Sequence, residues 1–218
     1  MKFIKPLFTI AVSLLLISCL GFSKKEETKK EKAIYIPTET TEIAYFASGC
    51  FWCVEAIFES VHGVEEAISG YAGGHTKNPT YESSNTGKTG HAEAVAVYYN
   101  PKLISFKTLV DVYFGSHNPT TVNGQHPDYG SQYRSIAFYQ NDAEKKIIED
   151  AIAVLNKETY NGKIATEVTK FTKFYEAEEY HQNFEKRNPN QSYIKSVSIP
   201  RLNKFKSKFP ELLKDSKH

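Results

Sequence analysis

The sequence predicts a mixed α and β fold built as one domain with extensions. Three observations carry that prediction. Apolar residues recur with a two-residue period in some stretches and with the i, i+3, i+4 period in others, and the two kinds alternate along the chain. Hydrophobic residues make up 40 % of 218, enough to bury a core at the length of one domain. No internal repeat and no glycine-rich phosphate loop interrupts the pattern. The formal net charge of +2 gives no reason to expect a nucleic-acid partner, and a monomer is expected.

The chain opens on a targeting pattern. Lys2 and Lys5 precede the apolar stretch from Leu7 to Ile17, which is too short to span a bilayer comfortably. It ends in Leu16-Ile17-Ser18-Cys19, which resembles the lipobox of bacterial lipoproteins. By that resemblance residues 1–18 are a signal peptide and Cys19 is lipidated, anchoring the protein outside the cytoplasm on a membrane. An ordinary secretory signal with a chance cysteine is the alternative. Leu20 is not the Asp associated with inner-membrane retention, so an outer-membrane address is expected in a cell with two membranes. Phe22 to Lys32 is nearly all charged or polar and cannot bury enough surface to fold. Residues 19–41 therefore form a tether, 42–195 the folded domain and 196–218 a C-terminal helical extension.

Within the domain, Ile43 to Ala47 reads as a strand and Val54 to Val61 as a helix with Ile57, Phe58 and Val61 on one face. Val64 to Tyr71 is strand-like and stops at Gly73-Gly74, before a long loop from His75 to Gly90. His91 to Tyr99 is the next strand. Ser105 caps a helix through Gly115, with Phe106, Leu109, Val110, Tyr113 and Phe114 as its core stripe. After a loop from Ser116 to Gln132, Tyr133 to Tyr139 is a strand. Asn141 or Asp142 caps a helix that turns Ile147, Ile148, Ala151, Ile152 and Leu155 inward. Val168 to Tyr175 reads as extended and Glu178 to Arg187 as a short helix. Ser198-Ile199-Pro200 opens a last helix carrying Leu202, Phe205 and Phe209.

Two of the three cysteines and the only tryptophan fall within Ser48-Gly49-Cys50-Phe51-Trp52-Cys53. Cys50 sits where a strand gives way to a helix. Unpaired N–H groups there favour an anion, so a lowered thiol pKa and a nucleophilic role are expected. Cys53 follows one turn later. The pair reads as a redox dithiol, as half of a zinc site, or as a buried structural disulfide; zinc would need two further ligands and no second cysteine pair exists. Glu93 is the only acid in an apolar strand and shares a face with Val95, Val97 and Tyr99. Most charged residues are solvated, so an exposed place at the strand's mouth is the first expectation; burial with a raised pKa is the second.

Several longer motifs then carry a resemblance. Gly49-Cys50-Phe51-Trp52, Gly70-Tyr71-Ala72-Gly73-Gly74, Asn78-Pro79-Thr80-Tyr81, Gly87-Lys88-Thr89-Gly90-His91-Ala92-Glu93, Gly130-Ser131-Gln132-Tyr133-Arg134-Ser135 and Ala177-Glu178-Glu179-Tyr180-His181-Gln182 resemble the methionine sulfoxide reductase A family from about Ile43 to Tyr193. The resemblance implies an α+β domain on a ferredoxin-like plait. It implies reduction of the S epimer of methionine sulfoxide, free or in proteins, with no metal or organic cofactor. By the same resemblance Cys50 attacks sulfur and Glu93 supplies the proton. Tyr81 and Tyr133 donate hydrogen bonds to the sulfoxide oxygen, and Asp128 orders the site through water. Phe51 and Trp52 hold the S-methyl group.

Many family members have Gly where this chain has Cys53 and resolve the sulfenic acid with cysteines in a C-terminal tail. Here no cysteine follows Cys53, and Tyr193-Ile194 lies where some relatives have Tyr-Cys. Resemblance to the Cys-Phe-Trp-Cys subgroup implies a Cys50–Cys53 disulfide, reduced in turn by a thioredoxin-like dithiol protein. The rivals are a binding lipoprotein without turnover and a general thiol-disulfide oxidoreductase.

Overall fold

The computed structural model describes residues 35–215. The leader, Cys19 and the tether up to residue 34 lie outside the described residues. Among the described residues no helix is long and apolar enough to cross a membrane.

The centre is a six-stranded sheet. Its strands are β1 (Glu42–Ser48), β2 (Val64–Ala72), β3 (Ala92–Tyr99), β6 (Ser135–Tyr139), β7 (Glu167–Lys170) and β8 (Phe174–Glu176), in the spatial order β7-β6-β1-β3-β2-β8. A small separate hairpin pairs β4 (Gly124–Gln125) with β5 (Asp128–Tyr129). Neighbours among the inner four strands are antiparallel, and β1 and β2, parallel to each other, are held apart by β3. That is the split βαβ plait, with α1 (Phe51–Glu59) joining β1 to β2 and α3 (Phe106–Gly115) lying between β3 and β6 in the chain. The expected α+β class is the observed one.

Strand alternation divides the core. Phe46, Tyr71, Val95, Val97 and Tyr99 face the helices. There Phe46 stacks on Phe58 of α1 and Tyr113 of α3, with ring centroids 5.2 and 5.0 Å apart. The other face is built from small residues: Ala47, Ala72, Ala92 and Ala94. It is closed by Tyr45, Phe171 and Phe174, with Tyr45 stacked on Phe171 at 3.7 Å. The predicted stripe of α3 is buried throughout. Of the residues expected to face inward on α4 (Asp142–Leu155), only Ile148 is fully buried, because α4 packs on α3 and the sheet edge rather than over its centre.

Several expected boundaries shift. The first helix starts at Phe51, not Val54, so Cys50 is its N-cap residue. The loop from His75 contains α2 (Tyr81–Asn85), closed by a reciprocal cap between Thr80 and Ser83. The loop before residue 133 contains the β4–β5 hairpin and a tight turn over Ser131–Tyr133, so β6 begins at Ser135. The stretch from Val168 to Tyr175 is two strands on opposite sheet edges. The segment from Glu178 to Arg187 is a turn over Glu179–His181 followed by α5 (Phe184–Arg187), broken at Asn183, whose φ is +52°. The last helix does not start at Ser198: a wide π turn over Ile194–Ser198 runs directly into α6 (Ile199–Lys208). The expected division after residue 195 falls inside this helical segment, whose Phe205 is buried in the main core.

Candidate active site

The end of β1 delivers Cys50 to the site. Gly49 adopts φ +86°, and a Cβ there would meet the Gln125 side chain at 2.6 Å, so only glycine makes this bend. The Cys50 carbonyl then accepts the first bonds of α1, from the N–H groups of Cys53 and Val54 at 3.2 and 3.3 Å.

The next N–H of the helix start, from Phe51, does not serve the sulfur. It donates to Glu93 Oε2 at 3.0 Å. Glu93 is only 2 % exposed, so the first expectation of a solvated carboxyl is wrong. Its strand parity places it on the helix-covered face, under the start of α1. Burial pushes its pKa up to about 8, against the Phe51 bond and with the negative charges of Asp128 and Cys53. Glu93 is therefore mainly a neutral acid at pH 7.

The expected lowered pKa of Cys50 is also not met. Burial raises it first, and the Cys53 sulfur and the Glu93 carboxyl add to that. The helix-start donor that was to stabilise a thiolate is occupied by Glu93. Charge in the pair rests instead on Cys53, lowered to about 6 by a hydrogen bond from Cys50, with help from the Arg201 guanidinium and against its own burial. Both cysteines are free thiols and both are buried. Among the described residues no cluster of His, Cys, Asp and Glu suited to a metal surrounds them.

The wall opposite is aromatic. Phe51 lies fully buried at its base, with Tyr81 and Tyr71 rings at 6.4 and 5.8 Å. Trp52 is stacked on Phe184 at 3.8 Å and donates from its indole N–H to His181 Nδ1 at 3.0 Å. That bond assigns the neutral tautomer of His181: its proton is on Nε2, which is buried without a hydrogen-bond partner and 3.8 Å from Glu178. Glu178 accepts from the Tyr81 backbone N–H and the Tyr71 hydroxyl, both at 2.9 Å, and so braces the start of α2. Tyr133 reaches Asn85 on α2 at 3.4 Å. Burial raises the phenols of both Tyr81 and Tyr133, so they remain donors.

A second group approaches Cys53 from the C-terminal helix. Tyr193 places its hydroxyl 3.9 Å from Cys53 Sγ and donates it to Asp128 on β5. Burial raises the pKa of Asp128. Arg201 lies against the end of β1, donating to the Ser116 carbonyl at 2.9 Å and to Ser48 Oγ at 3.3 Å.

Cys50, Cys53, Glu93, Phe51, Trp52, Tyr81, Tyr133 and Asp128 thus lie around the start of α1, on or beside it. Tyr193, Arg201 and His181 belong to the same neighbourhood; Tyr193 and His181 fall in stretches that carry the family resemblance, but the sequence assigns none of the three a role. For His181 a signal existed, since Glu178-x-x-His181 places an acid and an imidazole one turn apart. For Tyr193 the only signal is its place in the Tyr193-Ile194 pair, and for Arg201 no local pattern exists.

Comparison with known proteins gives the arrangement a family. A family profile described as peptide methionine sulfoxide reductase matches residues 42–213. The chain is 47 % identical over 174 residues to the peptide methionine sulfoxide reductase MsrA of Pasteurella multocida, covering 80 % of this chain and 99 % of the relative. It is 42 % identical over 175 residues to the MsrA of Polynucleobacter asymbioticus, covering 80 % and 92 %. Among solved structures it is similar to reduced Mxr1 of Saccharomyces cerevisiae, with a TM-score of 0.66, 34 % identity and coverage of 73 % and 92 %. Methionine sulfoxide reductase A of Corynebacterium diphtheriae gives a TM-score of 0.64 at 33 % identity, covering 71 % and 78 %. The chain belongs to the peptide methionine sulfoxide reductase family.

Proposed function

We propose that this chain reduces the S epimer of methionine sulfoxide, free and in proteins, through a Cys50 sulfenic acid that Cys53 resolves. One observation carries the division of labour. Glu93 is buried, neutral at pH 7, and tied to the N–H of the residue after Cys50. A sulfoxide oxygen leaves sulfur poorly as a bare oxyanion, and a positioned neutral acid removes that difficulty, a contribution of roughly 10²–10⁴-fold.

The shared charge of the cysteine pair starts the reaction. Passing the proton of Cys50 to Cys53 makes Cys50 the thiolate. Its sulfur bonds the sulfoxide sulfur as the Glu93 proton moves to the oxygen, and that hydroxyl then passes to the Cys50 sulfur while the substrate sulfur's bonds to oxygen and to Cys50 break. Methionine, the Cys50 sulfenic acid and a Glu93 carboxylate result. Tyr81 and Tyr133 donate to the oxygen, Asp128 orders water at the site, and the Phe51–Trp52 wall receives the methyl group, which can accept no hydrogen bond. Cys53 then displaces hydroxide to form the disulfide, and a thioredoxin-like dithiol protein reduces it. No bound cofactor enters this scheme.

The test is a single turnover of the reduced full chain on racemic methionine sulfoxide. The reading expects about one methionine per chain, loss of the Cys50 and Cys53 thiols, and consumption of the S epimer alone. Substrate retained with both thiols intact would leave a binding protein.

The leader supports a second part of the proposal, lipidation at Cys19 and an extracytoplasmic, membrane-held enzyme served by an extracytoplasmic electron relay. Cys19→Ala is expected to release the activity from the membrane fraction. Activity that remains wholly membrane-bound in that variant contradicts the anchor.

A further inference from the structure

We propose that Tyr193 is a proton relay for disulfide formation, taking the proton from Cys53 and passing its own to Asp128. The inference rests on the reading that Cys53 resolves the Cys50 sulfenic acid.

The geometry is a three-member line. Cys53 Sγ, the Tyr193 hydroxyl and the Asp128 carboxylate follow one another, with Tyr193 in contact with both its neighbours. A hydroxyl has one proton and can accept as it donates. Tyr193 gives its proton to Asp128, so its oxygen is open to accept one from Cys53 once the first step has protonated that sulfur. The π turn over Ile194–Ser198 starts directly after Tyr193, at the helical segment's approach to Cys53. Such turns recur at functional sites. Ser198 also lies near Cys53, and its hydroxyl donates to Glu185.

The chemistry requires such a path. Cys53 holds the proton taken from Cys50 when the first step ends, and a protonated thiol is a poor nucleophile. The Cys50 thiol, the largest influence lowering Cys53 in the reduced site, no longer exists once Cys50 is a sulfenic acid. Glu93 is by then a carboxylate that disfavours a second anion nearby. In the proposed step the Cys53 proton moves to the Tyr193 oxygen as the Tyr193 proton moves to Asp128. The Cys53 sulfur bonds the Cys50 sulfur, the S–O bond breaks, and the hydroxide takes the proton from Asp128 to leave as water. Cys53 and Cys50 are oxidised to the disulfide with no external oxidant, because the sulfenic acid already carries the two oxidising equivalents. Burial and both cysteines hold the Tyr193 phenol far above its ordinary pKa, so the two transfers are concerted and no phenolate forms. The charged and titratable groups facing this line are Cys50, Glu93, Arg201 and His126.

The test uses the full chain with Tyr193→Phe. After one turnover the sulfenic acid is trapped with a dimedone-type reagent and compared by mass with the disulfide. Wild type is expected to give disulfide at a rate flat from pH 7 to 9. In Tyr193→Phe sulfenic acid is expected to accumulate, with resolution at least about tenfold slower at pH 7 and accelerating as pH rises. A second readout needs no turnover: the Tyr193 hydroxyl also helps hold the Cys53 pKa down when that sulfur is a thiolate, so in a Cys50→Ala background the pH at which Cys53 is half alkylation-competent is expected to rise by about one unit on adding Tyr193→Phe. Equal resolution rates and unchanged Cys53 alkylation overturn the inference. A wild-type chain that forms no Cys50–Cys53 disulfide overturns the underlying reading first.

Discussion

The two sulfurs lie in one helical turn yet occupy opposite kinds of environment. Cys50 is surrounded by the sheet, α1 and a neutral acid, and its burial keeps the thiol protonated. Cys53 is faced by groups from distant parts of the chain: the Tyr193 hydroxyl, the Asp128 carboxylate behind it and the Arg201 guanidinium. The comparison teaches that position in a helix does not by itself set a thiol's charge. The helix start acts through the N–H it offers, and here Glu93 takes that N–H. The reducing half of the site works with neutral groups, and the resolving half with charges.

The largest break in this comparison comes from removing the neutral acid. Glu93→Gln keeps the Phe51 contact and removes the transferable proton, so methionine formation in a single turnover is expected to fall by roughly 10²–10⁴-fold. Loss of less than tenfold would mean that the proton comes from elsewhere.

Arg201→Met sharpens the other side. It keeps the length of the side chain and removes its charge beside Cys53. The Cys53 pKa is expected to rise from about 6 toward the ordinary thiol range, with alkylation at about pH 5, where thiolate is the minor form, slowed by roughly tenfold for one pKa unit. An unchanged alkylation profile would show that Cys50 alone controls Cys53.

The mixed α and β class and most elements were legible because their signals are local, whereas the plait arrangement followed only from the family resemblance. The stripe from Phe106 to Phe114 and the parity of Glu93 with Val95 and Val97 needed only residue spacing. What spacing cannot supply is depth: parity placed Glu93 on the right face, but its burial depends on α1 closing over that end of β3. The groups at Cys53 were harder still. Tyr193 and Arg201 meet it across more than a hundred residues of chain, and a tyrosine or arginine in a polar helix looks like any solvated one. Loop structure failed for a related reason. The β4–β5 hairpin that carries Asp128 has two residues per strand, too few for a period to register.

A smaller effect concerns stability. Glu93 and Glu55 are both raised to about 8, each chiefly by burial. An acid raised in the folded state holds its proton there while the unfolded chain has lost it, so stability falls as pH rises from the ordinary carboxyl range to about 8. The urea midpoint of wild type is expected to drop between pH 5 and pH 8, and to drop less in Glu93→Gln. An equal drop in both would place the burden on Glu55 alone.

The central claim is that a neutral carboxylic acid stands beside Cys50 at physiological pH. The infrared difference spectrum of the reduced chain, wild type minus Glu93→Gln, tests it without substrate or turnover. The account predicts a protonated-carboxyl band at pH 7 that fades as pH rises through about 8. A carboxylate band alone at pH 7 would contradict it.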